Sequence, residues 1–318
     1  MDKLMGAVGI IVPIYNCQNY LRECLESIKS QSFVDFVALL VDDGSIDRSA
    51  EICKEFCNSD SRFIYYYQEN KGVSSARNYG LKYFLERALV KRICFIDSDD
   101  IVHRDYIRIL YNLMDEYHVQ MACCGVKQFF TINDLQFEPT DTQTVQCYAS
   151  PYNFNVVPSM IWQRMFDIDL LNDKSLGPLY FNESLKYAED ILFSTELFIR
   201  VNKIVVTNEA LYYYRKNPNS AIALSSINDR CKTEAQVYFY LRDKYRTKDP
   251  NTTKMIQQRK SFSVYGWMAY NSLISIMFRR GELIGKKQLE MVLPYMRRDI
   301  FRTFFLYGIP IKEKFKYI

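Results

Sequence analysis

Four unbroken apolar runs, at residues 8–14, 37–41, 63–67 and 93–96, recur in the first third of the chain, and a stretch of helical periodicity separates each from the next. Runs this short and continuous are strands covered on both faces, as in a mostly parallel sheet. Between them, Tyr20, Leu21, Cys24, Leu25 and Ile28 recur at helical spacing, followed by Ile52, Cys53, Phe56 and Cys57, and then by Leu81, Phe84, Leu85 and Ala88. Ile107, Leu110, Leu113 and Met114 mark one more helix before the apolar stretch 119–124. The pattern is that of an α/β chain, a mostly parallel sheet flanked by helices. Ligands of such sheets bind beyond the carboxyl ends of the strands. The residues that follow each run therefore carry the functional information.

Three of those strand ends are polar. After the first comes Pro13-Ile14-Tyr15-Asn16, where an aromatic ring could stack on a base. After the second comes Asp42-Asp43-Gly44-Ser45, where a carboxylate could accept hydrogen bonds from a base N–H or a ribose. After the fourth lie Asp97-Ser98-Asp99-Asp100, three carboxylates in four residues. Carboxylates so crowded repel one another, and a hard divalent cation with oxygen ligands relieves them. Between these ends, Asn70-Lys71-Gly72-Val73-Ser74-Ser75-Ala76-Arg77-Asn78 supplies a turn glycine and two positive charges. Each segment alone reads equally well as a turn, a helix cap or solvated charge; an Asp-rich turn before a helix near Asp105 would show the same letters. Their joint placement at one sheet edge is what points to a site.

Composition removes several other classes of function. The only histidines are His103 and His118, and the nine cysteines form no Cys-x-x-Cys pair. A zinc site, a disulfide framework and a Ser-His-Asp or Cys-His hydrolase are therefore disfavoured, and reduced cysteines in a cytoplasmic protein are expected. The apolar run at 7–14 holds Pro13 and leads into Tyr15-Asn16, which reads as a strand and not as a signal peptide.

The order of the motifs resembles that of family 2 glycosyltransferases of the GT-A fold. The resemblance is carried by Val12-Pro13-Ile14-Tyr15-Asn16, Val41-Asp42-Asp43-Gly44-Ser45-Ile46-Asp47, the segment from Asn70 to Asn78, and Phe95-Ile96-Asp97-Ser98-Asp99-Asp100. Downstream, Tyr187-Ala188-Glu189-Asp190 is similar to the family's Glu-Asp pair, and Tyr212-Tyr213-Tyr214-Arg215 through Ser220 to the segment after it. The resemblance implies a GT-A, Rossmann-like domain over 1–225. Its nucleotide half would cover about 1–125 and its acceptor half about 126–225, followed by a helical, basic region at 226–318. It also implies roles. Asp43 would recognise the base, with Pro13 and Tyr15 lining the same pocket and Arg77 close to the nucleotide. Asp97 would lie at the ribose and, with Asp99, at Mn²⁺ or Mg²⁺, Ser98 would be among the nucleotide-binding residues, and Asp190 would be the catalytic base. Trp162 and Arg164 fall at acceptor-side or structural positions. Gln257-Gln258-Arg259-Lys260 lacks the tryptophan of the Gln-x-x-Arg-Trp signature of processive synthases, so transfer of a single sugar is implied. The donor by resemblance is a UDP-sugar, and the acceptor a glycan or lipid-linked saccharide of a cell-surface polysaccharide.

The last part of the chain differs in charge. Residues 231–318 hold 18 Lys+Arg against 7 Asp+Glu, leaving 23 against 30 in residues 1–230. Basic clusters beside apolar 300–311 suit an anionic membrane surface, hence a peripheral location on the inner face of the plasma membrane. The uncharged stretch 261–278 contains Ser261, Ser263, Asn271, Ser272 and Ser275, which favours a packed helix over a span. No nucleic-acid-binding motif accompanies the charge. Two other classes share some of these features. A sugar-phosphate nucleotidyltransferase would want a glycine-rich phosphate loop after the first strand, which Pro13-Ile14-Tyr15-Asn16 is not. A non-catalytic nucleotide- or membrane-binding module would not need Asp43, Asp97, Asp99 and Asp190 together.

Overall fold

The computed structural model describes residues 6–135, 144–148, 160–174 and 176–217, with scattered positions between 233 and 244. The chain falls into two units, Met1–Glu183 with Phe193–Ser220, and Ser184–Leu192 with Ala221–Ile318. In the first unit the elements run β1 (Val8–Ile14), α1 (Leu21–Lys29), β2 (Phe36–Asp43), α2 (Ser49–Ser59), β3 (Phe63–Gln68), α3 (Val73–Arg87), β4 (Arg92–Phe95), β5 (Ile101–Val102), α4 (Tyr106–Glu116) and β6 (Met121–Phe129). There follow β7 (Val145–Tyr148), β8 (Arg164–Asp167), a small hairpin of β9 (Asn172–Asp173) and β10 (Gly177–Pro178), α5 (Glu189–Arg200) and β11 (Ile204–Arg215). From Phe193 onward α5 belongs to the first unit.

The main sheet runs β3-β2-β1-β4-β8-β6-β11-β5, with β7 also on β11. Alternation along the strands sorts the core into two layers. Ile10, Val12, Ala38 and Leu40 face α1, α2 and α4 through Leu25, Ile28, Phe56 and Ile107. Ile11, Leu39, Val41 and Phe95 face α3 and α5 through Ala76, Leu81, Phe84 and Leu197. Helices on both faces explain why β1 and β2 are buried along their whole length and read as continuous apolar runs.

The expected parallel sheet is found in β3-β2-β1-β4 and again between β6 and β11. Beyond β4 it becomes mixed, because β8 runs antiparallel to both β4 and β6, and β5 and β7 run antiparallel to β11. β8 is four residues long, Arg-Met-Phe-Asp, too short for its period to be legible in the sequence. The apolar runs at 204–207 and 211–214 form one strand, β11. β11 is irregular between Val206 and Tyr212. Gly125 faces this irregularity: a Cβ there would lie 2.6 Å from the Asn208 carbonyl oxygen and 2.9 Å from that of Glu209. The bulge and the glycine opposite it therefore belong together.

The helical, basic region expected at 226–318 lies almost wholly outside the described residues. Of it, Thr233, Glu234, Gln236, Val237, Tyr240, Leu241 and Lys244 are helical. Among the described residues no helix is long and apolar enough to cross a membrane. The eight described cysteines are free thiols, most of them buried.

Candidate active site

The ladder between β1 and β4 ends at Ile11 opposite Phe95, followed by one last bond from Ile96 N–H to the Ile11 carbonyl. Pro13, two residues on, faces the same way and has no N–H to give, so pairing stops on that side. The sheet opens there, and β4 delivers Asp97, Ser98, Asp99 and Asp100 beside the ends of β1 and β2. Pro13 itself is buried, and Tyr15 is 52% exposed.

The loops after β1 and β2 are laced together by side chains. Asn16 N–H donates to Ser45 Oγ at 3.0 Å, and Ile46 N–H donates back to Asn16 Oδ1 at 2.9 Å. Gln18 N–H donates to Asp47 Oδ2, and Arg48 N–H to Gln18 Oε1. Gly44 makes the turn possible at φ +80°, where a Cβ would sit 2.7 Å from Asn70 N. The two acids at this turn have separate tasks. Asp42 is fully buried and accepts from Ser45 N–H (2.9 Å) and the Tyr65 hydroxyl (2.8 Å), so it fixes the turn. Asp43 accepts from Gln68 Nε2, Lys71 N–H and Gly72 N–H at 2.7, 2.9 and 2.8 Å. It thereby ties the end of β2 to the entry of α3.

One turn and a half into α3, Arg77 reaches the acid turn, its Nη2 3.0 Å from Asp97 Oδ1 and its guanidinium 5.3 Å from the centre of the Phe181 ring. Gly72 and Arg77 are five residues apart, about 8 Å along the helix axis. α3 thus links the Asp43 carboxylate at its entry to the Asp97 carboxylate through Arg77.

Of the three acids in the turn, Asp100 is structural. It is fully buried, and it accepts from the Tyr212 hydroxyl at 2.8 Å and from Arg215 N–H at 2.7 Å. Burial, with Asp99 and Asp97 nearby, pushes its carboxyl well above the usual carboxylate range. Tyr212 Oη also accepts Asp97 N–H at 3.1 Å. Asp99 remains partly exposed, and burial together with the Asp97 charge raises its pKa. Ser98 lies against the thiol of Cys17, which burial pushes up to about 11, so that this cysteine is a packing group and not a nucleophile.

Asp97 and Asp99 offer two mutually repelling carboxylates beside an open sheet edge. Among the described residues no group of three or more His, Cys, Asp or Glu side chains gathers as a cage. A hard cation that takes one or two carboxylates and completes its shell with water and phosphate oxygens fits such a pair. Glu189 and Asp190 open α5 within the second unit, and Ile191 N–H donates to Asp190 Oδ1 at 2.8 Å.

Trp162 and Arg164 are structural. The Trp162 ring stacks on Tyr212 and Tyr214 at 4.3 and 5.5 Å. Arg164 is fully buried, donates from Nη2 to the Met160 carbonyl at 2.8 Å and lies over Phe198. Two residues at the site had no role assigned from sequence. Asn78 is buried and grips the extended segment at 181–183: Phe181 N–H donates to its Oδ1, and its Nδ2 donates to the Phe181 carbonyl and to Glu183 Oε1. Arg215 is 5% exposed, donates from Nε to the Asp99 carbonyl at 2.7 Å and pairs with Glu23. An arginine ending an aromatic strand is a signal for such a buried pairing, but the sequence does not reveal the partner.

Residues 9–168 match the family model described as glycosyl transferase family 2. The glycosyltransferase GlyA of Streptococcus pneumoniae serotype 4 (strain ATCC BAA-334 / TIGR4) is 32% identical over 221 residues, 65% of this chain and 30% of GlyA. The minor teichoic acid biosynthesis protein GgaA of Bacillus subtilis (strain 168) is 32% identical over 243 residues, 73% of this chain and 51% of GgaA. The chain thus spans 30% of the length of the first of these relatives and 51% of the second. The crystal structure of S. aureus TarS 1–349 in complex with UDP-GlcNAc is similar at a TM-score of 0.67 and 20% identity, covering 92% of this chain and 80% of that one. The shared fold is the GT-A type, with a mixed sheet between helices. The chain belongs to glycosyl transferase family 2.

Proposed function

We propose that the protein is an inverting, metal-dependent glycosyltransferase that moves one sugar from a UDP-sugar to a hydroxyl of a glycan or lipid-linked acceptor in cell-surface polysaccharide synthesis. The observation that carries this reading is the bridge made by α3, with Asp43 held at its entry and Asp97 paired to Arg77 on its second turn. A nucleoside diphosphate laid along that bridge has its base at Asp43 and Tyr15 and its phosphates at Asp97 and Asp99. The UDP-GlcNAc named with TarS supports the choice of donor, and the name of GgaA supports a surface polymer as destination.

In this reading Pro13 and Tyr15 receive the base, Asp43 accepts its N–H, and Asp97 with Ser98 meets the ribose. Asp97 and Asp99 would hold Mn²⁺ or Mg²⁺, which when bound offsets negative charge on the leaving diphosphate as a Lewis acid. Arg77 steadies Asp97 and balances part of the acidic charge. An acceptor hydroxyl is a weak nucleophile until its proton is removed, and Asp190 takes that proton. Attack opposite the leaving group inverts the anomeric centre, so an α-linked donor gives a β-linked product. The basic 231–318 region supports a peripheral place at an anionic membrane, close to a lipid-linked acceptor.

The reading is tested with a panel of nucleotide sugars, scored first by thermal shift with Mn²⁺ and then by release of the nucleoside diphosphate. Stabilisation and turnover with UDP-sugars support it. No stabilisation and no turnover across the panel would remove it. Flotation with anionic liposomes, with and without residues 280–318, tests the membrane part, and equal behaviour of the two proteins refutes it.

A further inference from the structure

Gln68 ends β3 in register with Asp43 at the end of β2, so both side chains stand on one face of the sheet. Its Nε2 donates to Asp43 Oδ1 at 2.7 Å, and the same oxygen takes Lys71 N–H at 2.9 Å. Oδ2 takes Gly72 N–H at 2.8 Å. The orientation of the Gln68 amide is forced, since its carbonyl oxygen would otherwise face a carboxylate. A carboxylate offers about four acceptor positions. Three are filled from within the protein, Oδ1 is saturated, and one position remains on Oδ2.

That donor count discriminates between bases. Guanine presents two adjacent donors, N1–H and N2–H, and pairs with a carboxylate through both oxygens. Uracil presents one donor, N3–H, between two carbonyls, and needs a single acceptor. We propose that Gln68 is a specificity-determining residue that selects uracil over guanine by occupying the Asp43 oxygen that guanine would require. The second N–H of the Gln68 amide adds to the preference. It is a donor close to the Asp43 carboxylate, which suits a uracil carbonyl flanking N3–H and repels a second base donor. The inference rests on the reading that a nucleotide base meets Asp43, and it assigns a task to a residue that the sequence motifs pass over.

Calorimetric titration of UDP and of GDP in the presence of Mn²⁺ tests it, on the wild type and on Gln68→Met, which keeps the side chain's length and removes its donors. The wild type should favour UDP by at least about tenfold, since mispairing one buried donor or acceptor is worth that much or more. Gln68→Met should narrow the UDP:GDP ratio by about tenfold, with a weaker UDP and a gain for GDP. Gln68→Ala is measured independently and should narrow the ratio in the same direction. The readout is a ratio within one protein, so a general loss of folded protein does not imitate it. A wild type that prefers UDP, with both variants keeping the wild-type ratio, overturns the role of Gln68 and leaves the proposed function standing. A wild type that binds neither nucleotide overturns the functional reading and this inference together.

Discussion

The Tyr212 hydroxyl donates to Asp100 Oδ2 at 2.8 Å while accepting the Asp97 N–H at 3.1 Å, so one oxygen from β11 holds both ends of the acid turn. Tyr212 is fully buried, and its ring stacks on Trp162. Tyr212→Phe keeps the ring and removes the oxygen. The buried Asp100 carboxylate and the part-buried Asp97 N–H then lose a partner, and the cost is about 1–3 kcal/mol. Urea denaturation should show an earlier midpoint at an unchanged slope, with nucleotide binding weakened because Asp97 is no longer held. An unshifted midpoint would show that the turn is held without the hydroxyl.

Gly125 gives a test of the fold away from the site. In Gly125→Ala the new methyl would lie 2.6 Å from one backbone oxygen and 2.9 Å from another, neither of which can swing aside as a side chain would. The bulge in β11 would have to move, at a cost of about 1–3 kcal/mol, typical of overpacking. Thermal denaturation should register the loss, and a neutral result would contradict the bulged register.

Much of this architecture was legible because β1, β2 and β4 are buried on both faces and α1, α2 and α4 on one, whereas β3, at the sheet edge, is buried only at Phe63. Val8 to Ile14 and Phe36 to Asp43 have no exposed residue, which turns the sheet into visible apolar runs. The acid turn and Asp43 were legible because they follow those runs. β8 and β5 were not, since four and two residues carry no period. The division of labour between Asp42 and Asp43, and between Asp99 and Asp100, depends on partners distant in the chain. Tyr65, Tyr212 and Arg215 decide it. Spacing shows where carboxylates gather but not which of them are consumed by the fold.

Arg77 offers a second test at the site. Its side chain is 6% exposed and ion-paired to Asp97. Arg77→Met removes the charge while filling much of the volume, leaving Asp97 and Asp99 to repel each other with less compensation. Binding of UDP should weaken by about tenfold or more, as expected for a charged hydrogen bond lost from a largely buried place. Calorimetry measures it, and unchanged affinity would separate Arg77 from the nucleotide site.

Asp99→Asn tests the metal assignment. Asparagine keeps the size of the side chain and offers a weaker, neutral oxygen to a hard cation. The wild type should bind UDP more tightly with Mn²⁺ than without, and the variant should lose that difference. Equal Mn²⁺ enhancement in both proteins would move the cation away from Asp99.

The central claim is that this chain transfers a sugar with Asp190 as the base. Its most direct test compares wild type and Asp190→Asn for UDP binding by calorimetry and for acceptor-dependent UDP release from a UDP-sugar with Mn²⁺. The account predicts nearly equal binding and a loss of turnover of about 10²–10⁴-fold, the range for removal of a general base. Turnover by Asp190→Asn at the wild-type rate would contradict it.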